Sequence, residues 1–179
     1  NVPEKILTKH IRNKGFFSSL FITHIGYFPK AEFHFRERKH GCADNILIYC
    51  QEGKGIYHTA ERRHELTANQ FMILPPGKYH MYQADINAPW TIYWVHFSGS
   101  MINEFNNRLN TNKFILPTEI TYDKQIIEVW YEMYKALENN FSAPNLAYAN
   151  LCLYRFLSFF LCPDKKMSVP EVENPIDLS

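Results

Sequence analysis

FMILPPGKYHMY, residues 71–82, sets how the rest of the chain is read. Four apolar residues, Phe71 to Leu74, stop at Pro75-Pro76-Gly77, and Tyr79, His80, Met81 and Tyr82 follow with side chains of alternating character. A run too short for a helix, closed by Pro and Gly and followed by aromatic alternation, reads as two strands joined by a tight turn. Alternation places His80, Tyr82 and Ala84 on one face and Met81 with Gln83 on the other.

The same pattern extends in both directions. Upstream, NILIYCQEG (45–53) is the near-continuous apolar run of a buried strand. KGIYHT (54–59) and HELTA (64–68) flank a tight turn at Ala60–Arg62, and FFSSLFITHIGYF (16–28) is aromatic and β-branched. Downstream, PWTIYWVHF (89–97) puts Trp90, Ile92, Trp94 and His96 on one face. Turn signals recur at the spacing of a β-sandwich or barrel. After Ser98-Gly99 the period changes to that of helices, first over 101–109. Ile126, Trp130, Met133, Leu137 and Phe141 then line one face of an amphipathic helix that breaks near Pro144.

The next helix carries Leu146, Ala149, Leu153, Phe156 and Phe160 as a repeat, with Leu151, Cys152, Phe159 and Cys162 on other faces. So little polar surface predicts cover on two sides, one of them a second copy of the chain, with the repeat as the dimerisation contact. Residues 1–15 read as a basic, loose arm. Residues 163–179 are polar and Pro-containing, a linker that ends on a helix start at Asn174-Pro175.

Composition narrows the function. Hydrophobic residues are 46% and charged residues 21% of the 179, an ordinary globular balance. A net charge of +1, with no long basic run, excludes a nucleic-acid grip by these residues themselves. The four cysteines form no CxxC and no zinc-knuckle spacing, and Cys152 and Cys162 read as small core residues. No export signal and no membrane-length apolar run are present, so a cytoplasmic protein with no membrane partner is expected.

Three blocks in order, RKHGCADNILIYCQEGKGIY, FMILPPGKYHMY and PWTIYWVHFSG, resemble the effector-binding domain of the AraC (arabinose-regulator) family of transcription factors over about residues 16–161. The resemblance implies a mainly β fold: a cupin-like, jelly-roll type β-barrel over 16–98, followed by two or three C-terminal helices over 99–162 that make a homodimer. It implies a small-molecule effector, a sugar first, and DNA contact only through a helix-turn-helix domain absent from this chain, beyond the linker. Carried over by position, the family's sugar-holding Arg falls on Arg38, its Tyr on Tyr82 and its Trp on Trp94. Its His falls on Ile92, so one polar contact is missing. Parity makes Tyr82, Ile92 and Trp94 compatible with one interior, and an indole face with Tyr and Arg donors suits a neutral polyol. His80 joins that wall as a hydrogen-bonding residue.

Two other classes compete. Pro-x-Gly-x-x-His at 75–80 resembles the second motif of metal-dependent cupin enzymes, but the first motif needs His-x-His, and Arg36 stands where the second His of His34-Phe35-Arg36 should be. No metal, no cofactor, no catalytic residue and no enzymatic activity are therefore expected. A stand-alone carbohydrate-binding module would use the same aromatics but is expected to carry an export signal.

Overall fold

The computed structural model describes residues 1–33 and 35–163. His34, and the expected linker apart from its first residue, lie outside the described residues.

Two antiparallel sheets form the body. The larger runs in the order β1 (Phe21–Phe28), β8 (Thr91–Ser98), β3 (Asn45–Glu52), β6 (Gln70–Leu74) and β9 (Thr118–Glu119). The smaller runs β2 (Phe35–Arg38), β7 (His80–Ala84), β4 (Lys54–Thr59) and β5 (Arg63–Thr67). Both are open: among the described residues β1 and β9 are the edges of one, β2 and β5 the edges of the other, and no strand ladder joins them. The expected β-barrel is thus corrected to a two-sheet sandwich. Turn spacing and alternation suit either architecture, because both need short antiparallel strands with one face in and one out. Only the pairing of edge strands separates them, and sequence alternation does not encode it.

Face parity determines what each sheet buries. Ile46, Ile48, Cys50, Met72, Leu74, Trp90 and Ile92 meet Tyr57, Leu66 and Tyr82 between the sheets. The opposite face of the larger sheet, with Leu47, Tyr49, Phe71, Ile73, Tyr93, Val95 and Phe97, packs under helices. Asn69, in the turn before β6, takes a left-handed φ of 61°, a conformation that Asn tolerates better than most residues.

Four α-helices complete the described chain: α1 (Glu4–His10), α2 (Ile102–Arg108), α3 (Lys124–Asn139) and α4 (Ala143–Leu161). The Asp123 carboxylate caps α3 by accepting from the Gln125 N–H at 2.9 Å. Ile126, Trp130, Met133 and Leu137 are its buried stripe. Ser142 caps α4, and Pro144 sits in its first turn, where a missing N–H costs nothing.

Three expectations are revised here. Residues 1–15 are not a loose arm throughout: Val2, Leu7 and Ile11 are buried in the helical core, and the Val2 N–H donates to the Thr23 carbonyl at 2.9 Å. The α4 repeat is also reassigned. Leu146, Ala149, Leu153, Phe156 and Phe160 are all at most 2% exposed inside a single chain. They pack on α3 and the larger sheet, so they are not available to a second copy. The apolar residues left on the outside of α4 are Tyr148, Leu151 and Tyr154. Cys162, expected in the core, is exposed.

Candidate functional site

The inner wall of the sandwich gathers the sequence-selected residues from three strands. Arg38 on β2 lies opposite His80 on β7 in the antiparallel ladder. Tyr82 follows on the same face, its ring parallel to that of His80 with centroids 6.1 Å apart. Trp94 on β8 packs over Gly26 of β1, where a Cβ would stand 2.2 Å from the indole, so only glycine lets the ring lie against this strand. Ile92 is fully buried among the inter-sheet residues and is an apolar part of the wall. Three buried nitrogens on this wall have no hydrogen-bond partner: the donors Arg38 Nε and Trp94 Nε1, and His80 Nε2, an acceptor because His80 Nδ1 donates to the Lys78 carbonyl at 3.1 Å. Leaving a buried donor or acceptor unsatisfied costs about 1–3 kcal/mol, so three on one wall ask for an explanation.

Beyond Trp94 the wall continues into a group that sequence reasoning missed. His96 stands next to Trp94, ring centroids 5.3 Å apart, and 4.9 Å from the ring of His24 on β1. Asp44, in the turn before β3, places Oδ2 3.7 Å from His96 Nδ1 and 3.8 Å from His24 Nδ1. One donor atom from each of the three lies within 4.8 Å of the other two. The expectation of no metal and no enzymatic capacity is therefore corrected: two imidazoles and a carboxylate converge in the arrangement that transition-metal sites use.

A β-bulge builds this group. The β1–β8 register shifts between Ile22 and His24, and at a bulge two successive residues escape strict alternation. Thr23 and His24 consequently both reach Asp44: the Thr23 hydroxyl donates to Oδ2 at 2.7 Å, and His24 Nδ1 lies 3.1 Å from the same hydroxyl. The bulge would leave the Ile22 N–H unpaired, but Asn150 of α4, buried, accepts from it at 2.9 Å. Helix α4 is therefore clamped directly to the strand segment that positions His24.

Electrostatics on this wall favour neutral imidazoles. Burial, then the neighbouring His96, brings His24 down to about 4, against the pull of Asp44. Burial lowers His96, with Asp44 opposing and Arg38 assisting. Burial pushes the Asp44 carboxyl up, yet contacts from His96 and Thr23 outweigh it and hold the group below the ordinary carboxylate value. Tyr82 is raised by burial, with the Arg38 and Arg36 charges working against the rise. His80 is lowered, first by burial and further by Arg38 and His96, while the Lys78 carbonyl opposes.

The His80 shift gives a pH prediction. A lowered native pKa means that the unfolded chain binds the proton more tightly. The native state keeps its full advantage above the ordinary imidazole value near 6.5 and loses it as pH falls below that value toward the native pKa. Urea unfolding at pH 7.5 and 5.5 is expected to show lower stability at the acid value, with a smaller drop in His80→Gln. An unchanged drop in the variant would remove His80 from the account.

No spacing motif announces the new group. His24, Asp44 and His96 come from three distant segments, and a search for His-x-His finds none of them. The usable signal was parity, which puts His96 on the Trp94 face.

Comparison with known proteins places these observations. A family model described as the AraC-like ligand binding domain matches residues 23–149. The MmsAB operon regulatory protein of Pseudomonas aeruginosa is 36% identical over 84 residues, 45% of this chain and 27% of that protein. The lactose operon transcription activator of Staphylococcus xylosus is 28% identical over 98 residues, 54% of this chain and 35% of that protein. The raffinose operon transcriptional regulatory protein RafR of Pediococcus pentosaceus is 39% identical over 57 residues, 31% of this chain and 21% of that protein. The matched part thus spans about a third or less of these relatives. Among solved structures, a Cupin 2 conserved barrel domain protein from Salinispora arenicola superposes with a TM-score of 0.35 at 19% identity, over 43% of this chain and 64% of that one. Among the described residues no helix is long and apolar enough to cross a membrane.

Proposed function

This chain belongs to the AraC-like ligand-binding domain family, and from that premise we propose that it is the effector-sensing part of a transcription regulator, taking a sugar or related small polar molecule between its sheets. The observation that carries this reading is the set of buried polar atoms without partners, Arg38 Nε, His80 Nε2 and Trp94 Nε1, on the wall that also holds Tyr82 and Ile92. A hydroxyl-bearing guest both accepts and donates, so it can accept from Arg38 and Trp94 and donate to His80 Nε2, and the Trp94 ring offers its face to the C–H side of a sugar. Two relatives are named for lactose and raffinose operons, which favours a saccharide as the first class to test.

Output passes, in this reading, through α4. The Asn150–Ile22 hydrogen bond ties that helix to the β1 bulge beside the site, so a guest that reorders the bulge changes the seating of α4. The outer face of α4, Tyr148, Leu151 and Tyr154, with Phe16 stacked on Tyr154 at 6.2 Å, is the surface for a second copy. DNA is contacted by a separate domain of the whole regulator, as the word transcription in the relatives' names suggests. A metal-dependent reaction on the same wall is the second reading, favoured by His24, Asp44 and His96.

A thermal-shift screen of neutral mono- and disaccharides tests the first reading. At a hundredfold excess over Kd a ligand adds about 2.7 kcal/mol, which in a chain of this size raises Tm by roughly 5–10 °C. Trp94→Ala and Arg38→Ala are each expected to abolish the shift. A hit that both variants retain would place the guest elsewhere.

A further inference from the structure

We propose that His24, Asp44 and His96 form a binding site for a first-row divalent transition-metal ion. The proposal does not depend on the effector reading, because it concerns ion binding in the absence of any sugar.

The geometry has the right scale. A tetrahedral ion with donors at ordinary zinc distances holds neighbouring donor atoms roughly 3.4 Å apart. The two imidazole–carboxylate separations are 3.7 and 3.8 Å, a few tenths of an ångström wider. They are also too long for direct hydrogen bonds. No two of the three close on one another directly, but the Thr23 hydroxyl, which donates to Asp44, accepts from His24 Nδ1 at 3.1 Å, so His24 gives up that contact and its Nδ1 proton when it ligates an ion. A rotation about a side-chain bond of half-exposed His24 supplies the remaining contraction.

The surroundings suit a built site. Thr23 donates to Asp44 Oδ2 at 2.7 Å and fixes the carboxylate, the second-layer contact that metal-ligating side chains usually have. The bulge that aims His24 inward is held by Asn150. His96 is nearly inaccessible, its side chain 5% exposed, while that of His24 is 39% exposed, so the site is open on the β1 side for an ion to enter. Two imidazoles and one carboxylate, with no thiolate among them, select zinc, iron(II), cobalt or nickel over calcium or magnesium.

One charge opposes the ion: Arg38 is near enough to act electrostatically on both His24 and His96. With a single carboxylate ligand, the ion leaves the site with net positive charge beside this guanidinium. Three protein ligands leave at least one coordination position open, and the excess positive charge assigns that position to an anionic group such as hydroxide or a carboxylate. Arg38 thus weakens binding of the bare ion and strengthens binding of the ion together with an anion.

The test uses this chain without a histidine tag. Cobalt(II) is titrated in and the visible d–d absorption recorded, with zinc(II) competition read by calorimetry. The expected result is one ion per chain and zinc displacing cobalt. Thr23→Val is expected to cost about 10–100-fold in affinity, and His24→Ala and Asp44→Asn more than that. Arg38→Gln is expected to tighten the bare ion, an effect that simple loss of structure does not produce. His24→Ala removes a half-exposed ring and keeps the test usable should His96→Ala fail to fold. Absence of a cobalt spectrum, or a spectrum unchanged in both His24→Ala and Asp44→Asn, would overturn the proposal. Failure of every sugar in the effector screen would leave it standing.

Discussion

Phe156→Ala is expected to lower the stability of the folded chain by about 3–5 kcal/mol, the range for removing a buried aromatic from a core that cannot collapse around the gap. Phe156 is fully buried, its ring 5.0 Å from that of Phe160 at 62°. Phe160 in turn meets Phe71 at 4.9 Å and Tyr49 at 5.8 Å, so the truncation opens a hole where α4 lies on the larger sheet. The informative comparison is Leu151→Arg, at a site 53% exposed on the opposite side of the same helix. A surface change of that kind is worth within about 0.5 kcal/mol in the isolated chain. An arginine at the centre of an apolar contact between two copies, by contrast, buries an unpaired charge. Urea unfolding separates the first effect and sedimentation the second: on the proposed α4 contact, Phe156→Ala loses stability and still associates, while Leu151→Arg keeps its stability and becomes a monomer. The reverse pattern would return the Phe156 face to the subunit contact.

The contrast shows what the sequence carried and what it did not. Periodicity named the buried stripes of both long helices, except that Phe141 lies beyond the end of α3 and Cys162 beyond that of α4, but it did not name their partners: an apolar repeat with turn-by-turn spacing looks the same whether it meets a second copy or the protein's own sheet. The position of α3, immediately before α4 and able to fold back on it, was the cue that favoured the intramolecular seam. Strand parity did better. It put Tyr82, Ile92 and Trp94 on one wall, because alternation is a local property of an extended backbone. It gives no lead to His24, since a bulge breaks alternation there, and the Asn150 side chain that accepts from Ile22 beside it lies 128 positions away. The choice between barrel and sandwich turned on which edges pair, a long-range matter. The first helix was hidden differently. Leu7 and Ile11 sit one turn apart, but Pro3 gives no side-chain cap and the surrounding charges mask the short stripe.

Gly55→Val is expected to cost about 3 kcal/mol, the upper end for overpacking a full interior, and to disturb the effector wall. Gly55 lies in β4 between Leu66 of β5 and Ala84 of β7. A Cβ there would stand 2.1 Å from Cε3 of Trp90, whose side chain is fully buried. Nothing flexible takes up the strain. The indole is a rigid plate held between the sheets, with Tyr82 6.2 Å away by ring centroids, and the backbone of β4 is paired on both sides. Either the indole moves toward Tyr82 or β4 moves away from β7, and each displaces the wall on which Arg38, His80 and Tyr82 sit. If the clash with Trp90 is the cause, shrinking the plate relieves it. Gly55→Val combined with Trp90→Leu is then expected to be less destabilised than the sum of the two single changes by 0.5–3 kcal/mol, the range for side chains in direct contact. Simple additivity would mean that valine harms β4 through its backbone and that the approach of Trp90 to this strand is not what requires glycine.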